Sequence, residues 1–146
     1  MGQQQLLLII LVTIIVGIAT VVAINTFSSA ANSANVDAAR QDALSIAAAA
    51  QQYYMKPQAL GGGNQDFTNI DFTKISGVAV TTASTTTQAY NDNGSYDISA
   101  ATGDNFTLDV YPASCYSGNG FHGSCDSGSD VSSLTAIVRA DSIAWQ

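Results

Sequence analysis

The chain has 146 residues, a net charge of −7 and only four fixed cations, so it offers no basic surface for a phosphate backbone, and direct nucleic-acid binding is not predicted. Charged residues make up 10% of the sequence, and every acidic residue is an aspartate. Hydrophobic residues make up 47%. Because many of them lie near the N-terminus, the rest of the chain is expected to form one small domain with a modest core.

The first 25 residues contain no charged side chain and run apolar from Leu6 to Ile24. As a helix, this run of about 19 residues would be about 28 Å long, close to the thickness of the bilayer hydrocarbon core. A secretion signal, a membrane anchor and the packing core of an assembly all match such a run. It is longer than the apolar region of a signal peptide, and it has neither a basic segment before it nor a typical cleavage site. We therefore expect a retained apolar helix.

The helix is predicted to continue to residue 56, because residues 26–56 are rich in alanine and contain neither proline nor glycine. Apolar residues recur there at steps of three and four, which predicts one face that packs on a sheet. That face consists of Val36, Ala39, Ala43, Ile46, Ala50 and Tyr53. Pro57 then ends the helix. The expected domains are a long helix over residues 1–56, apolar over 1–25 and amphipathic over 26–56, and a β-rich head over residues 57–146.

Strand signals follow in the head. Strands are predicted at residues 88–90, 95–98, 105–111 and 134–139, with a further short one at 78–82. The first two of these flank the sequence Asn91-Asp92-Asn93-Gly94, and an Asn-Gly pair between two strand segments predicts a hairpin. The predicted fold class is therefore α+β, with one long helix packed on an antiparallel sheet of about four strands.

Two cysteines, Cys115 and Cys125, lie in a Gly/Ser-rich segment between the last two predicted strands. Next to an export-like N-terminus, we expect them to form a disulfide that holds an exposed loop of about ten residues in shape. The single histidine, His122, is expected to be a surface residue. No set of nucleophile, base and oxyanion donor is visible, so no enzyme activity, metal site or cofactor is predicted.

Three features now coincide: a charge-free apolar N-terminal helix, its amphipathic continuation, and a sheet domain with a loop that two cysteines close. With these features the whole chain resembles the type IV pilins and their pseudopilin relatives. The resemblance is carried by the N-terminal segment GQQQLLLIILVTIIVGIATVVAI and by QQYYMKPQALGGGNQDFTNI at the end of the helix. The N-terminal segment is the more specific of the two, because apolarity so close to the terminus is unusual in soluble proteins.

The resemblance implies a structural subunit of an extracellular type IV pilus-like filament used in adhesion, motility or DNA uptake. Such subunits wait in the inner membrane, are cut by a prepilin peptidase, and are polymerised by an inner-membrane assembly machinery into a homopolymeric helical filament. Lipid would surround the apolar helix before assembly, and neighbouring subunits would surround it afterwards. The residues expected to pack in the filament core are Leu6, Leu7, Ile10, Ile14, Gly17, Val21 and Ile24.

Two positions depart from the family pattern. The family usually has a glutamate near the start of the apolar segment, which pairs with the N-terminal amine of a neighbour, and here Gln5 stands at that place. Met1 and Gln5 are therefore the expected assembly contact, without a charge-assisted hydrogen bond. Family precursors also carry a short basic leader, and the new terminus is often methylated. Met1 is expected to be the mature terminus, and removal of Met1 and Gly2 is the alternative.

Two other functions are compatible with the same sequence. A pseudopilin of a type II secretion-like system would form a short periplasmic filament that drives export. A membrane-tethered surface binding domain would not polymerise at all. The alanine-rich helix beyond the membrane edge favours polymerisation, because a simple anchor does not need it.

Overall fold

The computed structural model describes residues 2–75 and 80–146, and the chain divides into two compact units, Met1–Ala34 and Asn35–Gln146. One helix, α1, spans Gly2–Met55. Its length follows from the many good helix formers and from the absence of proline before residue 57. The boundary between the units falls within α1, so the part of the helix that begins at Asn35 belongs to the same unit as the sheet.

The chain turns back over the end of α1 immediately after Met55. The N–H of Gly63 donates to the carbonyl oxygen of Tyr53 at 2.8 Å, and the N–H of Asn64 donates to that of Lys56 at 3.0 Å. The last carbonyl groups of a helix have no partner within it. The glycine-rich segment therefore ends the helix and also satisfies its terminal acceptors.

The described residues of the second unit form a six-stranded antiparallel sheet, in which the strands lie in sequence order. The strands are β1 Thr81–Thr82, β2 Gln88–Asn91, β3 Gly94–Ser99, β4 Asn105–Pro112, β5 Leu134–Arg139 and β6 Ile143–Trp145, and short 3₁₀ helices span Gln58–Leu60 and Ala113–Cys115. The predicted α+β class is confirmed, but the predicted number of about four strands was wrong. Of the two edge strands, β1 lies within the short strand predicted at 78–82, and β6 was not predicted because its three residues are too few to produce an alternating pattern. Of the short strand predicted at 78–82, residues 78 and 79 lie outside the described residues.

The β2–β3 hairpin is confirmed, although its turn is not the Asn-Gly pair. The register pairs Asn91 with Gly94, so Asp92 and Asn93 form the two-residue turn and Gly94 begins β3. A Cβ atom at Gly94 would lie 2.5 Å from the carbonyl oxygen of Tyr111 on β4. The glycine is therefore needed because another strand approaches closely, not because the turn requires a special backbone angle.

The core of this unit joins one face of the sheet to the buried side of α1. Strand β4 alternates as predicted, with Phe106, Leu108 and Val110 buried. Phe67, from the loop after the helix, packs its ring against Phe106 at a centroid distance of 5.3 Å. These side chains and the buried residues of α1 form one hydrophobic cluster, so the opposite face of the sheet points away from the helix.

Candidate functional site

The first unit exposes its apolar side chains. From Leu6 to Ile24 none of the large aliphatic residues is buried within the chain, and their exposed fractions range from 47% to 67%. These include six positions predicted to pack in a filament core, Leu6, Leu7, Ile10, Ile14, Val21 and Ile24. At Gly17, nothing beyond the local helix backbone lies within 4 Å of where a side chain would begin. Such a surface requires lipid or other protein around it.

The hydroxyl groups of this segment are satisfied within the helix. The hydroxyl of Thr13 donates to the carbonyl oxygen of Ile10 at 2.8 Å, and that of Thr20 donates to the carbonyl oxygen of Val16 at the same distance. Neither group therefore needs water. The helix is long and apolar enough to cross a membrane, a property that membrane anchors share with signal sequences.

The expected assembly contact at the N-terminus involves two residues. Met1 lies outside the described residues. Gln5 is exposed on the second turn of α1, and its side chain makes no hydrogen bond to any described residue. The contact between Gln5 and a neighbouring amine therefore stays a prediction.

The face of α1 predicted to pack on the sheet lies in the second unit. Of its six predicted residues, Ala39, Ala43, Ile46, Ala50 and Tyr53 are buried, and Val36 is partly exposed. The buried face also contains Ala47 and Ala49, so five of its seven residues are alanines. Side chains this small leave little space between the helix backbone and the residues it packs against.

A polar cluster that the sequence analysis missed connects this helix to the β2–β3 turn. The Oδ2 atom of Asp42 accepts hydrogen bonds from the amides of Asn91 and Asn93, both at 2.7 Å, and from the hydroxyl of Tyr96 at 3.1 Å. We call these four residues the Asp42 network. One helix carboxylate thus holds both the turn and the start of β3. The sequence feature that could have indicated this cluster is Asp42 itself, a charged residue next to Ala43 on a face otherwise predicted to be apolar.

Within the Asp42 network, Tyr96 has the strongest electrostatic perturbation. Its side chain is fully buried in the core. Burial raises the pKa of the Tyr96 hydroxyl far above its ordinary value, and the negative charge of Asp42 raises this pKa further. The hydroxyl therefore stays protonated and donates its hydrogen bond over the whole physiological pH range.

Asn35 makes a second connection at the first residue of this unit. Its Oδ1 accepts a hydrogen bond from the N–H of Ser114 at 2.9 Å, and its Nδ2 donates to the carbonyl oxygen of Asn93 at 3.4 Å. Further along the helix, the Gln51 amide donates to the carbonyl oxygen of Arg139 at 2.9 Å. Polar side chains thus bond α1 to the sheet domain on both sides of the apolar contact.

The predicted disulfide between Cys115 and Cys125 is present, with 4.9 Å between the Cα atoms. The loop was expected to be exposed, but part of it covers the outer face of the sheet. Ser95 lies on that face and is completely buried. Its hydroxyl contacts the Tyr116 hydroxyl at 3.2 Å and accepts a hydrogen bond from the N–H of His122 at 3.0 Å, both from the loop segment that covers it. The His122 ring stacks on Tyr116 at 4.1 Å and is partly buried, so it is not a freely exposed surface residue.

The outer face of the sheet also carries two aspartates that pair directly across β3 and β4, Asp97 and Asp109. The Gln88 amide donates to Asp97 at 3.2 Å, and Asp109 accepts the hydroxyls of Ser99 and Thr135 at 2.9 and 3.0 Å. Burial raises the pKa of Asp97, and the charge of Asp109 adds to this rise. Nowhere among the described residues do three or more His, Cys, Asp or Glu side chains form a group that could hold a metal ion.

No protein-family model, no curated protein and no solved structure matches this chain. Its layout is nevertheless compatible with a pilin-like fold: a long N-terminal helix that is apolar in its first half, an antiparallel sheet and a disulfide near the C-terminus.

Proposed function

We propose that this protein is the structural subunit of an extracellular type IV pilus-like filament, held in the inner membrane before assembly and polymerised through its apolar helix. The observation that carries the proposal is the surface of the first unit. The chain has no charged residue before Asp37, and no large aliphatic side chain between Leu6 and Ile24 is buried within the chain. A surface of this kind is stable in lipid or against copies of itself, but not in water.

Membrane insertion and polymerisation depend on different contributions to the free energy. Covering the half-exposed aliphatic side chains would contribute about 1 kcal/mol each relative to water. Lipid and neighbouring helices supply this contribution almost equally, so moving the helix from the membrane into a filament changes the hydrophobic free energy little. The preference for the filament then depends on dispersion and on close helix packing, which small residues such as Gly17 permit.

The second unit supplies what a filament exposes. Its helix face is already covered by the sheet, and its polar connections run through Asn35 and the Asp42 network. These contacts support a head that is stable by itself, and we propose that it forms the exposed part of the subunit. The proposed partners are other copies of this chain, the inner membrane, the prepilin peptidase and the assembly machinery.

The experiment that tests the proposal is cryo-electron microscopy of filaments sheared from cells that express the chain. We expect a helical lattice made of this subunit, with residues 6–24 in its centre. Short filaments confined to the periplasm would instead favour the pseudopilin function. Recovery of the chain from the membrane fraction as a monomer, without any filament, would refute the proposal in favour of a tethered domain.

A pair of variants separates anchoring from polymerisation. Gly17→Leu keeps the segment apolar, so membrane insertion should be retained, but it adds bulk where close packing is proposed. Val16→Leu adds one methylene group at an already large exposed position and serves as the control. We expect filament yield to fall in the first variant and to be unchanged in the second, with equal amounts of both chains in the membrane fraction. Equal filament yields would argue against close packing at Gly17.

A further inference from the structure

The chain contains two Asn-Gly pairs, Asn93-Gly94 and Asn119-Gly120. In such a pair the backbone nitrogen of glycine can attack the side-chain amide carbon of asparagine, because glycine has no Cβ atom to obstruct the approach. The reaction requires a free asparagine amide and a free glycine N–H. The structure places these two identical dipeptides in opposite surroundings.

The first pair is held by hydrogen bonds. The amide of Asn93 donates to Asp42 at 2.7 Å, and the N–H of Gly94 donates to Oδ1 of Asn91 at 3.1 Å. Gly94 is also buried, and the carbonyl oxygen of Tyr111 would lie 2.5 Å from a Cβ atom there. Both reacting groups of this pair are therefore engaged, and the space around them is filled.

The second pair has neither restraint. Asn119 is exposed, and within residues 2–75 and 80–146 neither its amide nor the N–H of Gly120 makes a hydrogen bond. Gly120 has a φ of +99°, and apart from its chain neighbours no described residue has an atom within 4 Å of the place a Cβ atom would occupy. The space that a five-membered ring needs is thus open.

We propose that Asn119 is a modification site, at which the chain converts this asparagine to aspartate and isoaspartate without an enzyme, while the Asp42 network protects Asn93. Base removes the proton of the Gly120 N–H, and the nitrogen attacks Cγ of Asn119. The Cγ–Nδ2 bond then breaks and ammonia leaves, which gives a succinimide. Water opens the ring: cleavage of the bond from nitrogen to Cγ gives aspartate, and cleavage of the bond to the main-chain carbonyl carbon gives isoaspartate.

The conversion would change a defined part of the surface. Asn119 lines a groove of about 290 Å³ together with Tyr90, Asp92 and Tyr116. Either product places a new negative charge in this groove, which already contains Asp92. Isoaspartate also lengthens the backbone by one atom within the loop that Cys115 and Cys125 close. The age of a subunit would therefore alter the shape and charge of its disulfide loop.

The test incubates the full chain, as filaments or in detergent micelles, in mildly alkaline buffer and follows both sites by mass spectrometry. Trypsin yields one peptide, Ile75–Arg139, that contains both asparagines, so fragment ions report the two sites from the same molecule. Each hydrogen bond contributes at least about a factor of five to an opening equilibrium, so two bonds should make Asn93 react at least about twenty-five-fold more slowly than Asn119. In the reduced, unfolded chain the two rates should become equal.

Two variants make the test decisive. Asp42→Ala should accelerate the reaction at Asn93 and leave the rate at Asn119 unchanged. Asn119→Gln should abolish conversion at position 119 while Asn93 remains intact, and this readout holds even where Asp42→Ala unfolds. Equal rates at both sites in the native chain would overturn the proposal. It would equally be overturned if Asn119 remained unchanged in the native chain over a period in which the unfolded chain reacts.

Discussion

Replacing Asp42 by alanine tests whether one carboxylate holds the helix to the sheet domain. The substitution removes the acceptor of three hydrogen bonds, from Asn91, Asn93 and Tyr96. It leaves the apolar contact of α1 unchanged, because Asp42 is not part of the hydrophobic cluster. Any loss of stability therefore reports on the Asp42 network.

The expected loss follows from the partners that remain. Hydrogen bonds to charged groups contribute about 1.5–3 kcal/mol each. The three bonds share one oxygen atom of a partly exposed side chain, and the Tyr96 hydroxyl keeps a second contact with Asn91 at 3.3 Å, so their contributions do not simply add. We expect the free energy of unfolding to fall by about 3 kcal/mol.

The assay is urea unfolding of the full chain in detergent, monitored by the fluorescence of Trp145, the only tryptophan. Asp37→Ala is the matched control, because it makes the same change on the same helix. Asp37 is exposed, and its ion pair with Arg40 spans 3.6 Å. We expect this control to lower the free energy of unfolding by less than about 0.5 kcal/mol.

If Asp42→Ala lowers the free energy of unfolding no more than the control does, the Asp42 network does not stabilise the domain as proposed. A double-mutant cycle with Asn93→Ala locates the effect more closely. If the two side chains stabilise each other as the structure indicates, their coupling energy should exceed about 0.5 kcal/mol. A coupling energy near zero would mean that Asp42 acts through some other contact.

Three further predictions concern single positions. Gly62→Ala should lower the free energy of unfolding in urea by about 1–3 kcal/mol, because a Cβ atom there would lie 2.1 Å from a backbone oxygen. Gly103→Ala is the control, because the nearest atom to a Cβ atom there lies at 3.9 Å. Asp97→Asn should raise stability by up to about 1 kcal/mol at neutral pH, since it removes a partly buried charge and its repulsion from Asp109. The gain should disappear in acid, where both carboxyls are protonated. Because the pKa of Tyr96 is raised in the folded chain, its contribution to stability should be complete below about pH 10. Above that pH the contribution should fall, because the unfolded chain loses a proton that the folded chain retains. Spectrophotometric titration should show one tyrosine that ionises only on unfolding.

The helix and the alternation of the central strands could be predicted from the sequence because both depend on neighbouring residues. Helix propensity and hydropathy act over a few turns, and a proline beyond the first turn breaks or kinks a helix. The alternating residues of β4 likewise identified its buried face without reference to any partner strand. The disulfide was predictable because the two cysteines leave one possible pairing and the N-terminus resembles that of an exported protein.

The position of the turn in the β2–β3 hairpin could not be predicted from neighbouring residues alone. Its existence was predicted from the Asn-Gly pair, but its turn is Asp92-Asn93, and Gly94 is needed because β4 approaches it. A turn signal is a local preference, whereas the register is decided by which residues of β3 and β4 can be buried together. The burial of Ser95 under the disulfide loop also depends on a contact between distant parts of the chain.

The sequence by itself thus determined that this chain has an apolar helix with no water-compatible face, followed by a small α+β domain with a disulfide. Only the tertiary structure decided which polar residues hold that domain together and which asparagine is protected. The partners of Asp42 are 49, 51 and 54 residues away along the chain. No periodicity or propensity relates residues at such separations, because their proximity arises only when the helix packs on the sheet.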